Sequence, residues 1–263
     1  MVRYRTIEFD RLQMYFGEPY VIDVADAAGT VTVYQPTLGD VIKLGENRFF
    51  STLNVFLTNT TSYKLTLWDA GIDWNVMTDF ELFMMMYKTI DSEASRLLFK
   101  DLDFSRFVIK KRSDPEKGEV YSLMDETANI EINEEVYQHF HQYLQTMFNI
   151  FPEEKYVTIS WFKEQFIRND RDALTIEKTK EARGEKESTS IQPVISACVN
   201  HPGFKYKLAE LKDVGVCEFY DSVRRLQLYE NATAIMKGLY SGMIDGKKID
   251  TESYNFMRDF SKS

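Results

Sequence analysis

Cysteine is scarce in this chain: only Cys198 and Cys217 are present among 263 residues. Two thiols in apolar helical surroundings make neither a disulfide framework nor a four-ligand zinc site, so buried free thiols are expected. Histidine is scarcer than the length would suggest, with three residues. His139 and His141 lie two apart in a helical stretch and so point to different sides, whereas two helical metal ligands need i, i+4 spacing. Both are read as ordinary, half-exposed histidines. His201, before Pro202 and Gly203, reads as a turn residue, and with Cys198 it forms only half of a zinc pattern. No apolar run approaches the roughly 18 residues of a membrane span. The opening residues contain no apolar core of the kind a secretory leader carries, so none is expected. Clustered positive charge is also missing. The net charge is −9 and the pI near 5.0, which disfavours broad contact with phosphates.

The usual catalytic spacings are missing too. Gly242 to Lys248 holds a Gly-Lys pair without phosphate-loop spacing or a preceding strand. Asp245 to Asp250 lacks the alternating oxygen ligands and distal Glu of a calcium loop. No G-x-S-x-G occurs, and no pair of carboxylates stands out by context. The chain is expected not to be an enzyme and to carry no cofactor and no metal.

What is present is aromatic: 19 Phe and 15 Tyr, with 44% hydrophobic residues overall. That supports a real core and leaves aromatics over for partner surfaces, where they are enriched. The length fits one large or two modest domains.

Along the chain, Val21 to Val24 and Thr30 to Tyr34 flank a small-residue turn and predict a β-hairpin. Thr37 with Asp40, and Thr78 with Glu81, have the spacing of helix N-terminal capping boxes; Gly45 suits a stop. Further helical patterns cover Phe49 to Leu57 and Ser92 to Leu98. Phe104 to Lys110 and Glu119 to Leu123 predict strands joined by the polar turn Ser113 to Gly118. Asn133 caps a helix whose stripe of Val136, Phe140, Tyr143, Leu144, Met147 and Phe148 is core, and Pro152 ends it. A helix from Ser160 turns strongly polar, with only Ala173, Leu174, Ile176 and Ala182 apolar between Arg168 and Ser190. It reads as a solvated helix fraying into a linker. Ser190 caps the next helix, with Pro193 in its first turn. Asp213 is a candidate cap for a helix ending at Gly238, and Asp250 or Thr251 opens a closing helix with Tyr254, Phe256 and Met257. The fold class is therefore α+β: a mixed domain with short β-hairpins and helices over 1–158, a charged helix and linker over 159–190, and a helical domain over 191–263.

The candidate interaction residues are Arg224, Arg225, Tyr229, Tyr240, Lys247, Lys248, Tyr254 and Phe256, because Arg and Tyr are frequent interface anchors. The alternative is a solvated face whose arginines Asp221 and Glu230 neutralise.

The segment from Val223-Arg224-Arg225-Leu226 through Gly238-Leu239-Tyr240-Ser241-Gly242, Ile244-Asp245 and Lys247-Lys248-Ile249 to Asn255-Phe256-Met257-Arg258-Asp259 resembles the tail-assembly or baseplate-assembly proteins of tailed bacteriophages. Pro36-Thr37-Leu38-Gly39-Asp40 with Phe49-Phe50 is similar to the opening of the same proteins. These are turn glycines and packing residues, not chemical signatures. The resemblance implies a non-enzymatic assembly protein of the host cytoplasm, binding tape-measure, tube or baseplate components. A structural subunit kept in the virion tail, and a small nucleic-acid-binding regulator or enzyme, are the alternatives. Self-association into a homo-oligomer is also compatible; a membrane partner is not expected.

Overall fold

Local capping chemistry sets most helix starts in the first half. The computed structural model describes residues 5–114, 118–183, 190–246 and 249–258. Helix α1 (Arg11–Tyr15) begins at Asp10, whose carboxylate accepts from Leu12 and Gln13 N–H. Helix α2 (Leu38–Leu44) has the Thr37/Asp40 capping box, and α5 (Asp79–Met86) the Thr78/Glu81 one. Between them lie α3 (Glu46–Leu57) and α4 (Lys64–Asp69). Helix α6 (Ser92–Phe99) is capped by Asp91, which also takes Arg48 through a two-pronged contact as close as 2.8 Å. Helix α7 (Glu134–Phe148) starts where Asn133 accepts from Val136 N–H at 2.9 Å. Each side-chain cap of this kind stabilises by about 1 kcal/mol.

The core is a cluster of rings. Phe56 of α3 meets Phe99 at 5.1 Å, Phe104 at 5.3 Å and Phe140 of α7 at 6.0 Å. Phe83 of α5 joins Tyr137 and Phe140 at 5.1 and 5.6 Å. These rings are sealed from solvent, and tilted or edge-on pairs add about 0.5–1.5 kcal/mol each beyond area burial. His141 is part of this interior, not half-exposed as its sequence context suggests. Its Nδ1 lies 2.7 Å from the Phe56 carbonyl. A carbonyl can only accept, so Nδ1 carries the proton, and Nε2 faces the Gln145 amide at 2.9 Å. Burial pushes the His141 pKa down to about 4.

Two antiparallel sheets flank the helices. β1 (Tyr20–Ile22) pairs with β2 (Val31–Val33), placing Tyr20 opposite Val33. The second sheet has the order β3 (Val108–Asp114), β4 (Gly118–Asp125), β5 (Ile130–Ile132). Phe104–Arg106 is a 3₁₀ turn capped by Asp103 and not the start of a strand. β5 has no counterpart in the sequence reading. It follows a turn in which Asp125 accepts from Thr127 and Ala128. The sheets meet where Glu131 N–H donates to the Ala28 carbonyl at 2.8 Å. Gly29 (φ +73°) sits there, and a Cβ on it would lie 2.6 Å from the Asn129 carbonyl oxygen.

α7 ends at Asn149 in the left-handed conformation, three residues before Pro152. An irregular stretch leads to α8 (Ser160–Ala182). Ile167 is the buried residue of α8, packed with Leu67, Trp74 and Leu82. Lys163–Asp73 and Lys64–Asp170 contacts, both at 2.5 Å, add to the seat. Beyond Asp170 the helix is exposed, which accounts for its polar sequence.

Residues 190–258 supply α9 (Gln192–Val199), α10 (Leu208–Leu211) and α11 (Val216–Tyr240). The Ser190 hydroxyl accepts from Gln192 N–H. Asp213 does not cap α11; Gly215 occupies that position. The loop before α11 runs beside the start of α2 like a short strand. Val216 N–H donates to Pro36, Leu38 N–H to Val214 and Gly39 N–H to Lys212, at 2.9–3.0 Å. Leu38 therefore shares a small core with Ile191, Leu211, Val214 and Phe219. α11 continues through Gly238, where Ile244 folds back so closely that a Cβ would lie 2.3 Å from its Cδ1. The closing stretch is a 3₁₀ turn, Thr251–Tyr254, capped by Asp250, and not a helix reaching Met257.

Candidate functional site

α11 presents Arg224, Arg225 and Tyr229 within two turns, but they do not act alike. Arg224 donates to the Asn149 side chain at 2.8 Å, tying α11 to the left-handed end of α7. Arg225 reaches the closing segment and donates to the carbonyls of Phe256 and Arg258 at 2.8 and 2.9 Å. The Asp221 carboxylate lies 3.8 Å from its Nε. Burial raises the Asp221 pKa above the usual carboxylate range, and the two arginines partly oppose that. One turn on, the Tyr229 ring meets the Phe256 ring edge-on at 5.4 Å. Arg225, Tyr229 and Phe256 thus form one cluster that holds the closing turn onto α11. Arg258 strengthens the turn by donating to the Glu252 carbonyl at 3.1 Å.

The other predicted residues are placed apart. Tyr254 is half-buried within the 3₁₀ turn. Tyr240, at the end of α11, is 83% exposed and has Met243, 88% exposed, as its neighbour in the following loop. Lys247 and Lys248 lie outside the described residues. Tyr229, Phe256 and Met257 keep exposed ring or thioether surface. Exposed aromatic and Met surface thus occurs both beside the Arg225 cluster and, separately, at the far end of α11. That chemistry suits packing against another polypeptide.

Groups that could do other chemistry are scattered. The Cys198 thiol is buried and its pKa raised by that burial. His201 takes Gly203 N–H at 3.0 Å on Nδ1 and faces Glu230 at 3.4 Å, as a turn residue would. Among the described residues no three His, Cys, Asp or Glu groups converge on a possible metal position. No described helix is long and apolar enough to cross a membrane.

A second surface was missed by the sequence reading. Between the extended stretch 154–159 and the first turns of α8 lies an open cleft of about 530 Å³, lined by Tyr156, Ile159, Phe162 and Phe166 among others. Tyr156, Ile159 and Phe162 of this lining are exposed, as are Phe151 and Trp161 close by in the chain. The β-forming run Tyr156-Val157-Thr158-Ile159 after Pro152 was the available clue, since such runs suit extended backbone.

The model of one phage-derived domain family, the YomV second domain, matches residues 180–260. No curated protein and no solved structure matches the chain. The matched span contains α9, α10, α11 and the closing turn.

Proposed function

We propose that this chain is a non-enzymatic assembly protein of a tailed bacteriophage, acting by binding another tail component such as the tape measure, the tube or a baseplate subunit. The reading rests on one observation above others: the match to a phage-derived family falls on 180–260, the same stretch that carries the exposed rim of Tyr229, Tyr240, Met243, Phe256 and Met257. Aromatic and Met side chains of this kind are enriched at protein interfaces. Tyr229 and Phe256, held together beside Arg225, give that surface a part that is ordered before binding, which lowers the entropy lost on association. The work is done in the host cytoplasm, by covering that rim until the partner is incorporated. No cofactor or metal enters this mechanism.

The test is recovery of the tagged chain from phage-producing cells. The intact chain is expected to bring down a tail protein, and a Tyr240→Asp, Met243→Asp double variant to lose it while keeping its circular dichroism. Equal recovery by both would sink the reading. Mass spectrometry of purified particles separates an assembly factor, which is absent from them, from a structural subunit of the virion tail, which is present in stoichiometric amount.

A further inference from the structure

The stretch between α7 and α8 belongs to no sheet, yet it is bonded to the body along one side only. Its inner side is satisfied by side chains in place of a β-strand. Asn59 donates to the Glu153 carbonyl at 3.3 Å. Lys155 N–H donates to the Thr61 hydroxyl at 3.1 Å, and the Lys155 carbonyl accepts from Trp74 Nε1 at 3.5 Å. Val157 exchanges both of its groups with the Asn75 amide, at 3.1 and 3.0 Å. When N–H and C=O of alternate residues point to one side, the backbone is extended, and the residues between point their groups to the other side. Those residues are Glu154, Tyr156 and Thr158. Among the described residues, none of their N–H or C=O groups has a hydrogen-bond partner, and all three residues are exposed.

We propose that this open edge pairs antiparallel with the same edge of a second copy of the chain, with Tyr156 on the two-fold axis. In that register Tyr156 faces Tyr156, and Glu154 faces Thr158 on each side. Each of these pairs exchanges both of its N–H···O bonds, as narrow antiparallel pairs do. The free residues are spaced for this and no bulge is needed.

The choice of a second copy over an unrelated strand rests on charge and on the side chains that would meet. Two copies of a chain with net charge −9 repel at long range. Residues 150–163, however, carry two acids, Glu153 and Glu154, and two lysines, Lys155 and Lys163, and so are locally neutral. No like charges fall directly opposite: Lys155 faces Val157, and Glu153, already paired with Lys155 at 2.8 Å, faces Ile159. The directly opposed Tyr156 rings form a cross-strand aromatic pair, a favourable arrangement. Phe162, exposed beside this stretch, adds apolar surface there, and closed two-fold dimers are the commonest assemblies of this kind. The inference is independent of the proposed phage role.

Tyr156→Pro is the test, because it removes the N–H on the axis and touches none of the bonds that Lys155 and Val157 make to the body. Proline also favours extended backbone at the residue before it, as the strand requires. The intact chain is expected to show a concentration-dependent dimer in sedimentation equilibrium across the micromolar range. The Tyr156→Pro variant should associate at least roughly tenfold more weakly, having lost both axial hydrogen bonds, with an unchanged circular dichroism spectrum. In the intact chain, hydrogen exchange of the 154, 156 and 158 amides should slow as concentration rises, which keeps the proposal testable should the variant fail to fold. A chain that stays monomeric, a proline variant that dimerises as tightly as the parent, or amides that exchange at one rate at every concentration would overturn it. So would protection that appears only when a different protein is added.

Discussion

Arg225 and Phe256 are joined through the main chain: the guanidinium donates to the Phe256 carbonyl at 2.8 Å, while the Phe256 ring leans on Tyr229 one helical turn away. The arginine that sequence context offers as a partner anchor is therefore spent inside the molecule. Its role is to hold the closing turn in place.

From this it follows that Arg225→Ala should loosen residues 250–258 without unfolding the core. Two charge-assisted bonds are lost, but the site is partly solvated, so about 1–2 kcal/mol of local stability is expected to go. Amide exchange in the closing turn should accelerate while that of α3 and α7 stays as before. Arg225→Lys should not restore protection, because the lysine nitrogen ends about one bond short of Nη1, the single atom that donates to both carbonyls.

Gly39 makes the contact between α2 and the loop before α11 possible. A Cβ there would lie 2.5 Å from the Lys212 carbonyl oxygen, and backbone on both sides resists adjustment. Gly39→Ala should cost about 2–3 kcal/mol, the range of overpacking in a close contact, and be read as a lower denaturation midpoint. Gly45→Ala makes a useful contrast, since nothing lies near its Cβ position and its penalty comes from φ +103° alone.

His141 should make stability fall in mild acid. Its folded pKa, about 4, lies below the usual value near 6.5, so between these pH values the unfolded chain binds more protons. Stability is then fully present above about pH 6.5 and declines as pH drops toward 4, by roughly 3 kcal/mol in all from this residue. His139, whose pKa burial also lowers, acts in the same direction. Urea titrations at pH 7 and pH 4.5 measure the difference, and His141→Gln should shrink it.

Phe56 stands where rings from α5, α6 and α7 converge. Phe56→Ala should remove about 3–5 kcal/mol, visible as a large fall in melting temperature, and should free the neighbouring Phe140 ring to sample other rotamers by NMR.

The sequence determined those features whose partners lie within one helical turn. Thr37 with Asp40, Thr78 with Glu81 and Asn133 with Val136 each close a bond across three residues, so spacing alone reveals them, and the apolar stripe of α7 follows from helical periodicity. The α+β class was legible from the same local patterns. The tertiary structure alone decided features whose partners lie far along the chain. Asn75 meets Val157 across 82 residues and Gln35 meets Cys217 across 182. Gly215 displaces Asp213 as the cap because Pro36 draws the Val216 amide to it. Gly238 lies within α11 and does not end it; Ile244 fills the space a side chain there would have taken. Arg225 turned inward, and residues 153–157 came to be held by side chains of the body, because a hydrogen-bonding group takes its role from whatever folding places within about 3 Å of it, and one-dimensional spacing does not encode that.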